Sequence, residues 1–174
     1  GASLVSPCRV SRWTDITPDK SSKAEGGYMG ISIDPQRPGR VAVSSMNRWQ
    51  LGDTIWLSDD SGRTWRSLRE HSRRDTSVSP FLNWGEEEAE FGHWIAGLAI
   101  DPFDGGAIAY TTGATVYRTG DGLKPRGELL WKPWAKGIEQ TAVITLVSPT
   151  GGAPLISGFG DLGGFVHGRL HVSP

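Results

Sequence analysis

Short apolar runs separated by tight turns recur along this chain and predict a series of short strands. Each copy of the pattern has an apolar run, an Asp-Pro or Ser-Pro pair, a turn rich in glycine or proline, and a second apolar run. The three copies are GISIDPQRPGRVAVSS (30–45), GLAIDPFDGGAIAYTTG (97–113) and the weaker AVITLVSPTGGAPLISGFG (142–160). Repeating units of this kind bury their apolar faces only by packing against their neighbours, so the repeat determines the class of fold.

The first two copies each continue into two further strands, so that a complete unit has four. TIWLS (54–58) and RTWRSL (63–68) follow the first copy, and TVYRTGDG (115–122) and ELLWKPW (128–134) follow the second. No capping box opens a long run with the 3.6-residue period of a helix. Recurring four-stranded antiparallel units are typical of β-propeller blades, and the sequence therefore predicts an all-β fold of that class.

The ring of blades is predicted to be incomplete. A closed propeller normally has about four to eight blades, whereas this chain offers two whole units and partial ones on either side. RWTDIT (12–17) resembles the last strand of a preceding blade, and residues 154–172 stop within a unit. We therefore expect a piece of a longer protein or one part of an assembly.

The segment SDDSGRTW (58–65) fits the pattern S-x-D-x-G-x-T-W, known as the Asp box. Gly62 can adopt the positive φ that such a turn needs, and the carboxylate of Asp60 can accept hydrogen bonds from turn backbone N–H groups. The ring of Trp65 can pack between neighbouring sheets. These roles are structural, and we expect Asp60 to stabilise the turn between the third and fourth strands rather than to take part in chemistry.

Composition narrows the class of protein further. Among the 174 residues are 24 Gly, 11 Pro and eight Trp, which suits many turns and a surface that stacks on flat ligands. The 18 basic and 19 acidic residues give a net charge of −1, so the charge favours neither nucleic acid nor a membrane as partner.

Cys8 is the only cysteine, no apolar run is long enough for a membrane span, and the first residues do not resemble a signal peptide. The spacing of His167 and His171 matches no metal site in a strand, and no cofactor is implied.

A single carboxylate, Asp161, lies among glycines and phenylalanines in GFGDLGGFVH (158–167), just after an apolar run. It is either a turn residue that ends a strand or a proton donor held at the end of one. The pattern alone favours the turn residue, because Gly-Asp pairs are common in turns.

Three ordered segments resemble glycoside hydrolase family 74, namely 30–65, 94–117 and GIEQTAVITLVSPTGGAPLISGFGDLGGFVHG (137–168). The resemblance implies two seven-bladed propellers with a polysaccharide cleft between them. Residues 1–136 would then be the last blades of the first propeller, and residues 137–174 would begin the second. It also implies a secreted glycosidase that cleaves a β-1,4-glucan such as xyloglucan, with the remainder of the propellers as partner.

The family resemblance changes the interpretation of Asp161. In the family, a G-D-x-G-G-F motif carries the general acid, and here the matching residues are Gly160 to Phe165, with Gly163, Gly164 and Phe165 placed to contact substrate. The family's general base lies in a T-D-x-G-G-A-Y-R motif that this sequence lacks. Inverting cleavage needs both carboxyl groups, so the resemblance implies that the chain alone is inactive.

The loop Asn47-Arg48-Trp49-Gln50 resembles the family's N-R-W-W-x-G-D loop, in which two tryptophans line the leaving-group side of the cleft. Trp49 matches the first tryptophan, whereas Gln50 replaces the second. Asn47, Arg48 and Trp49 are therefore candidate substrate-binding residues. The alternative for Trp49 is a packed loop anchor.

The remaining tryptophans divide between loops and strands. Trp84 and Trp94 flank an acidic loop and could face a ligand, and we include Trp84 among the candidate substrate-binding residues. The tryptophans that fall within strand patterns, Trp56, Trp65, Trp131 and Trp134, are predicted to lie in the core. Glu139 is a further carboxylate that could orient groups in the cleft or simply be solvated.

Three other functions stay open. A non-catalytic Asp-box propeller that binds glycan or protein is the main alternative, and the GDLGGF motif together with the N-R-W loop argues against it. A sialidase would need an arginine triad and a Tyr–Glu pair that we cannot place. A purely structural repeat module would use none of these residues.

Overall fold

The computed structural model describes residues 13–21, 25–124, 128–137, 142–160 and 163–172. This part of the chain consists almost entirely of short strands joined by turns, with one 3-10 helix, Pro80–Asn83. The strands are β1 Gly27–Ile33, β2 Val41–Met46, β3 Ile55–Ser58, β4 Arg66–Ser67, β5 Ser72–Arg74, β6 Leu98–Ile100, β7 Ile108–Thr111, β8 Val116–Thr119, β9 Leu129–Pro133, β10 Val143–Val147, β11 Leu155–Phe159 and β12 Gly163–His167.

The first sheet is an antiparallel meander in the order β1-β2-β3-β4. Ala42 of β2 pairs with Leu57 of β3, and both side chains are buried. Ile55, two residues before Leu57, is buried on the same face, as the two-residue period of a strand requires. The sequence therefore predicted this unit correctly, although β4 has only two residues.

The second sheet has the order β5-β9-β8-β7-β6. Strands β6 to β9 form the expected antiparallel meander, and β5 adds to its outer edge in parallel with β9. The sequence did not predict β5, because its three residues, Ser72–Arg74, have no apolar pattern of their own.

The first two sheets pack against each other through hydrogen bonds as well as apolar contacts. The hydroxyl of Ser44 donates to the backbone carbonyl of Ile95 at 2.6 Å and accepts the backbone N–H of Gly30 at 2.9 Å. The hydroxyl of Ser32 accepts the backbone N–H of Ile100 at 2.9 Å. Both serines come from the first sheet, so polar side chains help to fix the position of β6 beside it.

One buried hydrophobic cluster fills the space between these two sheets and beneath the connection that joins them. Its members are Ala42, Ile55, Leu57, Leu68, Leu82, Ala89, Phe91, Ile95, Ile100, Ile108, Tyr110, Tyr117, Leu129 and Trp131. Phe91, Tyr110 and Trp131 form its aromatic centre, with ring centroids 4.8–6.0 Å apart.

The third sheet has the order β10-β11-β12 and is antiparallel throughout. Apolar side chains are exposed on both of its faces, as Leu146 and Phe165 on one and Ile156 and Val166 on the other illustrate. Among the described residues, none of its strands lies against a strand of the first two sheets.

The 58–65 turn has the hydrogen bonds expected of its motif. The carboxylate of Asp60 accepts the backbone N–H of Thr64 at 2.8 Å and its hydroxyl at 2.7 Å. The indole N–H of Trp65 donates to the backbone carbonyl of Ile16 at 2.9 Å. The described residues 13–17 thus pack against this turn, but they do not form the strand that we predicted there.

Candidate functional site

The candidate binding residues of the first sheet, Asn47, Arg48 and Trp49, lie at the end of the sheet opposite to the 58–65 turn. In an antiparallel meander the connections alternate between the two ends, so the β2–β3 loop (47–54) is remote from the β3–β4 turn. In the second sheet the corresponding connections are the β7–β8 loop (112–115) and the segment 92–97 that leads into β6. These loops meet, because the backbone N–H of Gly113 donates to the carbonyl of His93 at 2.9 Å.

A buried carboxylate, Asp53, joins the two sheets at this end. One oxygen accepts the backbone N–H of Arg48 at 2.9 Å, within its own loop. The other accepts the backbone N–H of Trp94 at 2.7 Å, from the segment before β6. The side chain of Asp53 is only 2% exposed, so both bonds are shielded from water and hold the two loops in a fixed relation.

Trp49 and Trp94 are brought together by this arrangement. Their ring centroids are 6.2 Å apart and their planes meet at 87°. Trp49 is 72% exposed and Trp94 is 46% exposed, although each carries a large apolar ring. Exposed tryptophans that are held in a fixed geometry are suited to stacking on flat ligands such as the C–H faces of sugar rings.

Arg48 and Asn47 contribute to this loop in different ways. The guanidinium of Arg48 pairs with Asp19 at 3.0 Å and lies over the ring of Trp56, 5.8 Å from its centroid. The pKa of Asp19 lies below its ordinary value, chiefly because the backbone N–H of Ser21 donates to it and also because of Arg48. Arg48 therefore anchors the loop, whereas Asn47 is exposed at a turn with φ 66°.

Trp84 is exposed but lies apart from this pair. It ends the 3-10 helix Pro80–Asn83 in a left-handed conformation, with φ 51°. Within the described part of the chain, its ring pairs with neither Trp49 nor Trp94. The structure thus brings together Trp49 and Trp94, which the sequence analysis had treated separately.

Asp161 and Leu162 lie outside the described residues, and the strands β11 and β12 lie on either side of them in the chain. Phe159 at the end of β11 pairs with Gly163 at the start of β12. The ring of Phe159 lies 5.7 Å from that of Phe165. The connection 160–162 joins the second and third described strands of its sheet, as the 47–54 loop does in the first sheet.

Two glycines of this motif, Gly163 and Gly164, are required by the backbone. Gly163 has a φ of 82°, a backbone angle that residues other than glycine rarely adopt. A Cβ atom at Gly164 would lie 2.6 Å from the carbonyl oxygen of Ser157, so any side chain there would disturb β11. Both residues therefore have a structural reason to be glycine, independent of any contact with substrate.

The remaining tryptophans differ in how deeply they are buried. Trp131 is fully buried as predicted, and Trp56 and Trp65 are half-buried, but the core prediction for Trp134 is wrong because it is 67% exposed. Glu139 and Cys8 lie outside the described residues. In the described ranges, no three His, Cys, Asp or Glu side chains are grouped to hold a metal ion. No helix in those ranges is long and apolar enough to cross a membrane.

Known proteins with similar sequences are xyloglucanases. A xyloglucanase of Acetivibrio thermocellus is 38% identical over 186 residues, which cover 95% of this chain and 22% of that protein. A xyloglucanase of Paenibacillus is 36% identical over 181 residues, which cover 93% of this chain and 18% of the relative. No protein-family model matches the chain.

A solved structure supports the same relationship. The crystal structure of a family-74 xyloglucanase from Xanthomonas campestris superposes with a TM-score of 0.72 and 31% identity, over 91% of this chain and 22% of that chain. The chain thus spans about a fifth of the length of the relatives that it matches. The predicted fold class, all-β with propeller-type sheets in a ring that the described residues do not close, is confirmed. The resemblance inferred from the motifs is confirmed as well: over nearly its whole length, this chain matches a segment of the xyloglucanases of glycoside hydrolase family 74.

Proposed function

We propose that this chain forms part of a glycoside hydrolase that cleaves xyloglucan or a related β-1,4-glucan. The observation that carries the proposal is the similarity of 95% of the chain to a protein named as a xyloglucanase. The exposed pair of Trp49 and Trp94, at the end of the sheets where the β2–β3 and β7–β8 loops meet, supports a sugar-binding surface. An extracellular location follows from a polysaccharide substrate.

The proposed reaction is an inverting hydrolysis with Asp161 as general acid. Its carboxyl proton passes to the glycosidic oxygen as the bond from that oxygen to the anomeric carbon breaks. A second carboxylate removes a proton from water, which attacks the anomeric carbon from the opposite face. The two carboxyl groups of such a pair stand roughly 6.5–9.5 Å apart, and we place the second one outside these 174 residues.

The remaining candidate residues have supporting roles in this proposal. Trp49 stacks on a sugar ring of the substrate, while Arg48 holds the loop through Asp19 and Trp56. Gly163, Gly164 and Phe165 let the β11–β12 connection approach the substrate closely. Trp84 contacts a more distant part of a long glucan chain.

The division of the chain into residues 1–136 and 137–174 is part of the same proposal. The first two sheets share one hydrophobic core, to which the third contributes no described residue. The third sheet has apolar side chains exposed on both faces, as expected for a blade that packs between neighbours in a second propeller.

Two measurements test the proposal on the chain itself. Calorimetric titration should detect binding of a xyloglucan oligosaccharide and no binding of a β-1,3-glucan of the same length. The chain alone should release no reducing ends from xyloglucan, because it lacks the second carboxylate. Release that Asp161→Ala abolishes would show that both catalytic groups are present here. Absence of any glucan binding would favour the alternative of a propeller module with another ligand.

The role of Asp161 can be tested by replacing the matching segment of the Acetivibrio xyloglucanase with this chain. Asp161→Asn should lower the rate on xyloglucan by about 10²–10⁴-fold, the usual contribution of general acid catalysis. The loss should be much smaller on an aryl glycoside whose leaving group needs no proton. An equal loss on both substrates would contradict the role of general acid. A circular dichroism spectrum unchanged by the substitution is the control for folding.

A further inference from the structure

Two tryptophan rings meet at a right angle on the surface between the first two sheets. Trp49 comes from the β2–β3 loop, and Trp94 comes from the segment that leads into β6. Their planes meet at 87° with the centroids 6.2 Å apart, so together they form an aromatic corner. Trp49 is a candidate through its motif, whereas the sequence indicates only that Trp94 is a loop tryptophan that could face a ligand.

Several contacts fix the position of Trp94 while leaving part of its ring exposed, as expected of a residue that binds a ligand. Its backbone has φ 56°, a left-handed conformation that costs a non-glycine residue free energy. Its N–H is bonded to buried Asp53 at 2.7 Å, and its carbonyl accepts the N–H of Ala96 at 2.8 Å. A Cβ atom at Gly113 would lie 2.9 Å from the indole, so the ring packs directly on the Gly113 backbone.

The right angle limits which ligands can contact both rings. In an unbranched β-1,4-glucan, successive rings alternate in orientation but lie in one ribbon, so that their flat faces are nearly parallel. Such a ribbon can stack on Trp49 or on Trp94, but it cannot present a flat face to both. A sugar attached as a branch leaves the ribbon and can turn its face toward a plane perpendicular to it.

We propose that Trp94 is a binding residue for a sugar branch on a glucan whose backbone stacks on Trp49. Asp53 acts as a positioning residue, since it holds the backbone of Trp94 against the Trp49 loop. This inference rests on the proposed function, because it assumes that a glucan occupies the Trp49 surface. It adds a specificity for branched over unbranched chains that Trp49 alone would not give.

Calorimetry with two oligosaccharides tests the proposal: cellotetraose, which is unbranched, and the xylosylated heptasaccharide with the same backbone. Trp94→Ala should weaken binding of the heptasaccharide about tenfold and change binding of cellotetraose less than about twofold. Trp49→Ala should weaken binding of both ligands. Phe103→Ala is the matched control, because Phe103 is an exposed aromatic residue in the β6–β7 turn at the other end of the sheet.

The outcomes separate this inference from the function on which it rests. If the unmodified chain binds neither oligosaccharide, the proposed function fails on this surface and the branch site fails with it. If the chain binds both oligosaccharides and Trp94→Ala weakens both equally or neither, the glucan site stands and the branch site is wrong. Asp53→Asn should lower the preference for the branched ligand while Trp94 is intact, a change in ratio that general loss of stability would not produce.

Discussion

At the scale of single residues, Asp53 and Asp60 are carboxylates that fix loops, and Asp60 is the case that can be tested by pH. Hydrogen bonds from the hydroxyl and the backbone N–H of Thr64 lower the pKa of Asp60 from 3.8 to about 2. A lowered pKa means that the ionised form stabilises the fold above the unfolded-state value, and that this stabilisation is lost as the pH falls toward the folded-state value.

We predict that Asp60→Asn removes this pH dependence. The melting temperature of the unmodified chain should exceed that of the variant by a constant margin above about pH 5. The margin should shrink between pH 3.8 and about 2, where the folded protein begins to protonate Asp60. Calorimetric melting curves of both proteins across this range measure the difference.

Thr64→Val is the matched variant, because it removes the hydroxyl that donates to Asp60 and leaves the backbone N–H in place. It should reduce the pH-dependent margin without abolishing it. A margin that stays the same from pH 5 to pH 2 would show that the turn does not depend on the charge of Asp60.

Asp53 is predicted to contribute more to stability than Asp60, because Asp53 is buried and both partners of its carboxylate are backbone N–H groups. Asp53→Ala would leave the N–H groups of Arg48 and Trp94 without acceptors, which should lower the free energy of unfolding by about 2–4 kcal/mol. Urea unfolding measures this change. Glu86→Ala, at an exposed position, should change it by less than about 0.5 kcal/mol. An equal effect of both substitutions would mean that Asp53 does not join the loops.

Local motifs determine which of these roles could be predicted from sequence. The role of Asp60 was predictable, because its partner Thr64 lies four residues away within one turn. The role of Asp53 was not, because its second partner, Trp94, lies on a different sheet. Trp134 was misjudged because it lies three residues after Trp131, so the two-residue period of β9 places it on the face opposite to the buried Leu129 and Trp131.

At the scale of elements, β5 is a short strand whose side chains support the edge of the second sheet. The hydroxyl of Ser72 accepts the indole N–H of buried Trp131 at 2.8 Å and donates to the backbone carbonyl of Leu68. Backbone bonds from Leu129 to His71 and from Asp75 to Trp131 extend the pairing at either end. The strand thus ties the chain that leaves the first sheet to the outer edge of the second.

Ser72→Ala is expected to weaken this connection. It would leave the indole N–H of Trp131 buried without a partner, at a cost of about 1–2 kcal/mol in the free energy of unfolding. Urea unfolding gives the value, and faster exchange of the amide hydrogens of β5 and β9 would locate the effect. Arg73→Ala, in the same strand but exposed, removes only a surface ion pair with Glu128 and should cost less than about 1 kcal/mol. A smaller loss for Ser72→Ala than for Arg73→Ala would contradict this role.

The order of elements was largely predictable, whereas the pairing of β5 was not. Asp-Pro pairs followed by tight turns mark the β1–β2 and β6–β7 connections, and alternating apolar residues mark the strands beside them. β5 has no such pattern. This parallel edge strand of three residues forms because its backbone pairs with β9 and because Ser72 bonds the buried indole of Trp131, and its own residues supply no apolar side chains that would predict it.

At the scale of the whole molecule, the three sheets differ in how they are stabilised. The first two bury a common core, which includes Leu57 and Tyr110. The described residues of the third sheet contribute nothing to that core, and its apolar side chains, such as Ile144 and Val166, face solvent. Burial of apolar surface is the main favourable term in folding, so the third sheet should open more easily than the other two.

Hydrogen exchange measured by mass spectrometry should therefore show faster exchange in β10, β11 and β12 than in β2, β3, β7 and β8. Leu57→Ala should cost about 2–5 kcal/mol in the shared core and speed exchange in the first two sheets only. Ile144→Ala, at an exposed position, should leave exchange in those two sheets unchanged. If Leu57→Ala sped exchange equally in all three sheets, the chain would unfold as one cooperative unit. The boundary proposed near residue 137 would then have no energetic counterpart, because the third sheet would draw its stability from the core of the first two.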